Sequence, residues 1–259
     1  NHTKVVAITD NIVPHEKRFF DNPFTHYFLK SCDGFVTMSE AVLDDLVGFK
    51  VNKPAAYNPH PMYESFGPLL DKKEAKAKLG LDTGTNYLLF FGFIRKYKGL
   101  DVLLKAFADE RLRSLNVKLI IAGEYYDSPD EYKAIINQYN LEPDLVQVND
   151  FIPDGKVSLY FSASDMVVQT YKTATQSGVT QVAYYYNKPM LVTNVGGLAE
   201  LVPHNKVGYV TEVDVKEIAD SLVRFYTEKK EAEFTENVKV ERNRFTWDSM
   251  IEKLFSVAK

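Results

Sequence analysis

Nine short apolar runs alternate along the chain with stretches of helical period, and this alternation constrains the fold more than any other feature. The runs occupy residues 5–9, 34–38, 55–58, 87–91, 118–122, 146–148, 166–170, 190–193 and 208–210. Most are bounded by Gly, Pro, Asp or Asn. Runs of this kind suit strands buried on both faces. Between them the spacing predicts helices. Ser39 is placed to cap one that reaches Gly48. A second spans residues 72–79 and stops at Gly80. A third spans 100–112, with Leu100, Leu103, Leu104 and Phe107 on one face. Others cover 129–139, 154–161 and 215–228. The last begins near Thr246 and is expected to bury Trp247, Met250, Ile251 and Leu254. Strands alternating with helices imply a parallel sheet covered on both faces, in a doubly wound, Rossmann-like α/β arrangement.

The same pattern divides the chain. Residues 87–210 hold six strand candidates, a complete sheet. The first 60 residues hold three, too few to close a core easily. The segment from Asn58 to Leu70 carries three prolines and little periodicity, so it reads as a linker. The expected organisation is part of a first domain in residues 1–62 and a linker with a hinge helix in 63–84. A whole second domain follows in 85–245, and a final helix in 246–259. The charge run from Lys72 to Lys78 is expected to be a solvated helix face.

Composition excludes several classes. With 259 residues, 45% of them apolar, the chain can bury a substantial core. Its 17 Phe and 16 Tyr argue against disorder. A net charge of −4 without a basic stripe argues against nucleic acid as a partner. Cys32 is the only cysteine, so no internal disulfide framework exists and a reducing compartment fits. No run approaches the roughly 18–20 apolar residues that span a bilayer, and none has the form of a signal peptide. The chain has no initiator Met and enters a strand-like stretch at once. It is expected to be a fragment whose start lies upstream, with tag removal as the alternative.

Ligands of open α/β sheets bind beyond the carboxyl ends of the strands, and four loops there hold unusual residues. Gly92-Phe93-Ile94-Arg95-Lys96-Tyr97-Lys98-Gly99 places three cations ahead of a helix, where fixed positive charge and free N–H groups suit a diphosphate. A solvated turn is the alternative. No Walker pattern is present. The stretch from Tyr171 to Gln181 puts small polar residues around Gly178. The N–H groups of Gly178 and Val179 could cradle phosphate oxygens, and Gln176 and Gln181 could meet sugar hydroxyls. A plain Ser/Thr-capped helix start fits equally. The double glycine in Thr193-Asn194-Val195-Gly196-Gly197 permits close backbone approach. Near the start, Asp10, His15 and Glu16 cluster after the first strand. No Cys/His spacing suggests zinc.

Together these loops resemble the retaining GT-B glycosyltransferases of family four, the group 1 glycosyltransferases. The resemblance covers most of the chain from about Lys4. It is strongest from Leu88 to Val210, through Lys98-Gly99, Val148-Asn149-Asp150-Phe151-Ile152-Pro153 and, as the closest match, the run from Lys188 to Val202. The family's Arg slot holds Phe93, with Arg95 two residues on. The family's two glutamates are missing: the first position falls at Thr175 or Gln176, the second at Gln181 or Val182. Asp10 falls where the family often has a His, with His15 nearby, and which of them acts is open.

The resemblance implies a GT-B fold, with a complete Rossmann-like C-terminal donor domain and part of the N-terminal Rossmann-like, acceptor-side domain. The last helix packs back on the first domain. It implies metal-independent, retaining transfer of a hexose from a UDP- or GDP-sugar to a glycan or lipid-linked acceptor, in polysaccharide or glycoconjugate biosynthesis. No cofactor is implied. Asp10, His15 and Gln176 are the expected catalytic residues. Arg95, Lys98, Phe151, Ile152, Ser177, Gly178, Val179 and Gln181 are expected to bind the donor. A cytoplasmic location, with peripheral contact at the inner face of a membrane, goes with this reading. The fragment alone is expected to be inactive. The missing glutamates keep open a non-catalytic nucleotide- or glycan-binding relative. The shared fold keeps open an epimerase or phosphorylase.

Overall fold

The computed structural model describes residues 3–13, 20–174 and 176–259. It contains two compact units. Asn1–Met62 and Asn243–Lys259 form the smaller, and Tyr63–Arg242 the larger. No helix among the described residues is long and apolar enough to cross a membrane.

The smaller unit runs β1 (Val6–Thr9), α1 (Asp21–Ser31), β2 (Gly34–Thr37), α2 (Glu40–Gly48) and β3 (Ala55–Tyr57). The three strands are parallel in the order β1-β2-β3, with Ile8 opposite Val36 and Phe35 opposite Ala55. Adjacent strand residues face opposite ways, and the unit uses this. Phe35 packs with Leu29, Val42 and Leu46 from α1 and α2. Val36 packs with Met250 and Val257 from the C-terminal helix (Trp247–Val257). Ser39 caps α2 as its position predicts, its Oγ accepting from Val42 N at 3.3 Å.

The larger unit begins with α3 (Lys72–Lys78), then β4 (Asn86–Phe91), α4 (Leu100–Phe107), α5 (Glu110–Arg113), β5 (Val117–Ala122) and α6 (Asp130–Gln138). It continues through β6 (Leu145–Val148), α7 (Asp154–Ala163), β7 (Met166–Gln169), α8 (Gly178–Tyr185), β8 (Met190–Thr193) and α9 (Leu198–Leu201). It ends with β9 (Gly208–Thr211), α10 (Val215–Thr227) and α11 (Glu231–Glu241); the C-terminal helix of the smaller unit is therefore α12. The six strands are parallel in the order β6-β5-β4-β7-β8-β9. The direction of winding reverses between β4 and β7. The region beyond the carboxyl ends of the strands at such a reversal is the usual ligand position in open sheets. Leu88, Phe90, Leu119, Ile121, Val168 and Leu191 join α4, α6 and α10 in the main core. Leu89, Ile120 and Val167 are buried too, so the strands read as unbroken apolar runs.

Several expectations need correction. The helix expected over 100–112 breaks, because the Asp109 carboxylate accepts from Arg111 N at 2.9 Å and starts α5. The segment 63–84 does not stand apart as a linker. It belongs to the larger unit, where the Tyr186 hydroxyl donates to the carbonyls of Phe66 (3.0 Å) and Gly67 (2.9 Å). The charge run on α3 is not a solvated face throughout. Lys76 is 4% exposed and donates to the Thr85 carbonyl at 2.7 Å. Lys72 pairs with the fully buried Asp165 and with Glu231. In α12 the buried positions are Met250 and Val257, with Leu254 packed against them. Trp247 and Ile251 are 50% and 45% exposed. Four-residue steps from Trp247 follow one stripe of the helix, and the sheet takes the neighbouring stripe instead.

Candidate functional site

β4 ends at Phe91, and the chain then passes Gly92 and one 3-10 turn (Lys96–Lys98) to reach Gly99. Gly99 has φ 68°, and a Cβ there would stand 1.9 Å from the Thr170 carbonyl oxygen. The Thr170 hydroxyl in turn donates to the Gly99 carbonyl at 2.9 Å. Only glycine fits, and the contact locks the loop after β4 to the end of β7. This lock carries Lys98 inward until it is 8% exposed. Its Nζ lies 3.2 Å from where a Gly92 Cβ would be and 5.7 Å from the centre of the Tyr171 ring. No carboxylate pairs with it among the described residues. Burial, and then the nearby Arg95, lower its pKa to about 8.

The loop after β7 faces this ammonium. Tyr171 is buried, and its hydroxyl shares a hydrogen bond with Ser177 Oγ at 3.2 Å. Ser177 precedes α8, but its side chain makes no cap hydrogen bond. The hydroxyl is engaged with Tyr171 instead. As first-turn residues of α8, Gly178 and Val179 have N–H groups with no intrahelical acceptor. The Val179 side chain lies 3.9 Å from the same Gly92 Cβ position that Lys98 approaches. The Tyr63 ring lies 3.2 Å from where a Gly178 Cβ would be, so the helix start can hold nothing larger without displacing it. Gln181 is 1% exposed, and its amide oxygen and nitrogen have no partner among the described residues; the same is true of Gln176 Nε2.

On the other side of Gly92 lies a cavity of about 180 Å³, lined chiefly by Phe66, Phe91, Phe93, Phe151 and Ile152. Phe93 and Phe151 are exposed, with ring centres 6.2 Å apart at 38°. A flat, uncharged ring suits such walls. Gly92 borders both the cavity and the Lys98 ammonium. Arg95 stands beside them with its guanidinium carbon 3.8 Å from the Tyr126 ring centre.

The structure therefore brings Arg95, Lys98, Phe151, Ile152, Gly178, Val179, Gln176 and Gln181 to one end of the larger sheet, around the reversal point. Asp10 follows β1 in the smaller unit. His15 lies outside the described residues. Sequence reasoning missed Tyr171, Tyr63, Phe93 and Tyr126. Tyr171 and Phe93 each sit within two residues of a strand end, which was a usable signal. Tyr63 and Tyr126 gave none, because only folding places them against Gly178 and Arg95. Among the described residues no group of three or more His, Cys, Asp or Glu side chains could hold a metal ion.

Comparison with known proteins agrees with this architecture. The chain is 27% identical over 144 residues to the D-inositol 3-phosphate glycosyltransferase of Pseudarthrobacter chlorophenolicus, covering 54% of this chain and 34% of that protein. It is 30% identical to the alpha-monoglucosyldiacylglycerol synthase of Streptococcus pneumoniae, over 58% of this chain and 34% of that protein. The chain thus spans about a third of the length of these curated relatives. Among solved structures, Anabaena HepE in complex with UDP-glucose superposes with a TM-score of 0.77 at 17% identity, over 98% of this chain and 71% of that one. That likeness is one of fold, the α/β GT-B class with parallel sheets. The family model of the glycosyl transferases group 1 matches residues 71–240, well over half the chain and nearly all of the larger unit. On that match, and on the strand order and loops it contains, the chain belongs to the glycosyl transferases group 1 family.

Proposed function

We propose that the larger unit binds the nucleotide-sugar donor of a retaining, metal-independent hexosyltransferase, with a UDP- or GDP-sugar as donor. One observation carries the reading: a buried, unpaired lysine ammonium faces the open N-terminus of α8. A buried cation without a partner is costly, and a diphosphate would supply the missing charge. The adjoining aromatic cavity is suited to the base. In the reaction the bond from the sugar anomeric carbon to the diphosphate oxygen breaks, and the electron pair stays on the diphosphate. The acceptor hydroxyl oxygen bonds to that carbon on the same face, and its proton leaves with the diphosphate. Lys98, Arg95 and the α8 N-terminus stabilise the charge that develops. Gln176 and Gln181, whose buried amide nitrogens lack partners among the described residues, would hydrogen-bond sugar hydroxyls. The acceptor is proposed to be a glycan or a lipid-linked molecule, a class supported by the names of the curated relatives.

Titration calorimetry with UDP and GDP tests the donor site: at least one should bind, and replacing Lys98 by Met should weaken it at least about tenfold. Binding of neither nucleotide would sink the reading. The absence of both motif glutamates favours a second reading, a nucleotide-binding relative without catalysis. A panel of UDP- and GDP-sugars given to the full-length protein separates the two. Nucleotide binding with no transfer or hydrolysis of any donor would leave only the second.

A further inference from the structure

The loop after β4 and the loop after β5 are clipped together by backbone hydrogen bonds. Ile94 N donates to the Glu124 carbonyl at 2.8 Å, and Tyr126 N donates to the Ile94 carbonyl at 3.0 Å. Ile94 and Tyr125 form an isolated parallel bridge. This clip sets Arg95 and Tyr126 side by side, and the guanidinium lies over the phenol ring at 3.8 Å. The Arg95 side chain does not cap the turn that follows it, and among the described residues it has no hydrogen-bond or ion-pair partner. The ring therefore takes the flat face of the guanidinium and leaves its edge, where all five N–H donors point, unused. Stacking of this kind restricts rotamers without consuming donors. The same Arg95 is close enough to Lys98 to lower its pKa. Two cations held near each other, neither ion-paired with a carboxylate among the described residues, form a receptor for a multiply charged anion. We infer that Tyr126 is a positioning residue, which presents the Arg95 guanidinium edge-on to the diphosphate of the donor; this rests on the donor-site reading above. Tyr126 itself touches no phosphate in this account and acts only through Arg95.

The test is a double-mutant cycle read by calorimetry with UDP and GDP on the 259-residue chain. Tyr126→Ala should weaken the bound nucleotide by about two- to tenfold. Tyr126→Phe keeps the ring and should restore nearly all of the loss. In an Arg95→Ala background, Tyr126→Ala should cost nothing further. Three results overturn the inference while leaving the donor site standing. They are no effect of Arg95→Ala, a Tyr126→Ala loss that persists without Arg95, and a Tyr126→Phe variant as weak as Tyr126→Ala. Failure of the unaltered chain to bind either nucleotide overturns the donor site and this inference together.

Discussion

Lys98 carries its charge to a place that water scarcely reaches, and its protonation follows from that. Its pKa falls from 10.5 to about 8, through burial first and Arg95 second. Between those values the unfolded chain binds a proton that the folded chain does not. Stability contributed by this residue therefore rises with pH across that window, and the burial penalty is fully present below about pH 8. Anion binding runs the other way. A bound diphosphate favours the ammonium, so affinity should fall as pH rises above about 8, with proton uptake on binding. Calorimetry in buffers of different ionisation enthalpy measures that uptake. In Lys98→Met both the uptake and the pH dependence should vanish, and the melting temperature should rise, because an unpaired buried charge is gone. Gly99 is constrained by backbone instead. Gly99→Ala drives a Cβ into the Thr170 carbonyl at φ 68°. It should cost about 2 kcal/mol or more in urea unfolding and weaken nucleotide binding with it. Lys98 and Gly99 could be read from their place after a strand and before a helix. The partner of Arg95 could not, because Tyr126 follows a different strand.

Helix α3 shows why charge in a sequence does not reveal its surroundings. Its lysines look alike in the run, yet Lys78 pairs with Glu74 in solvent at 2.7 Å while Lys72 reaches the buried Asp165. Asp165 also accepts from Tyr87 N at 2.7 Å and from the Tyr226 hydroxyl at 3.2 Å. One carboxylate thus ties α3, β4 and α10 at the start of β7. Burial and the Asp165 carboxylate together push the Tyr226 hydroxyl well above the usual tyrosine value, so it remains a donor. Asp165→Ala would leave Lys72 and Tyr226 facing an uncompensated gap, and should destabilise the chain by about 3–5 kcal/mol in urea unfolding. Glu74→Ala removes only the solvent pair and should stay within about 0.5 kcal/mol. The difference lies in which face of α3 meets α7 and β4, which a run of alternating Lys, Glu and Ala leaves unspecified.

Over the whole chain, the two units carry different reporters. Trp247, the single tryptophan, belongs to the smaller unit and is half exposed. Its emission should lie toward the red and be readily quenched by acrylamide. The larger unit holds the six-stranded sheet and most of the helix, so far-UV circular dichroism follows it. A three-stranded unit buries less core than a six-stranded one. The tryptophan signal should therefore be lost at a lower urea concentration than the dichroism. Coincident transitions would show instead that the chain unfolds as one cooperative body.

The strands of the described residues and the α/β class were legible because a strand covered on both faces, as β2, β4, β5, β7 and β8 largely are, must be apolar at nearly every position, which leaves a mark in a few consecutive residues. The loops of the site were legible for a related reason: glycine and fixed charge after a strand are local necessities of a turn that meets an anion. Burial of Lys72 and Lys76, exposure of Trp247 and Ile251, and the seat of Arg95 on Tyr126 left no such mark. Each depends on which distant segment arrives as a neighbour, and that neighbour's shape and charge exist at the position only after the sheet has been assembled.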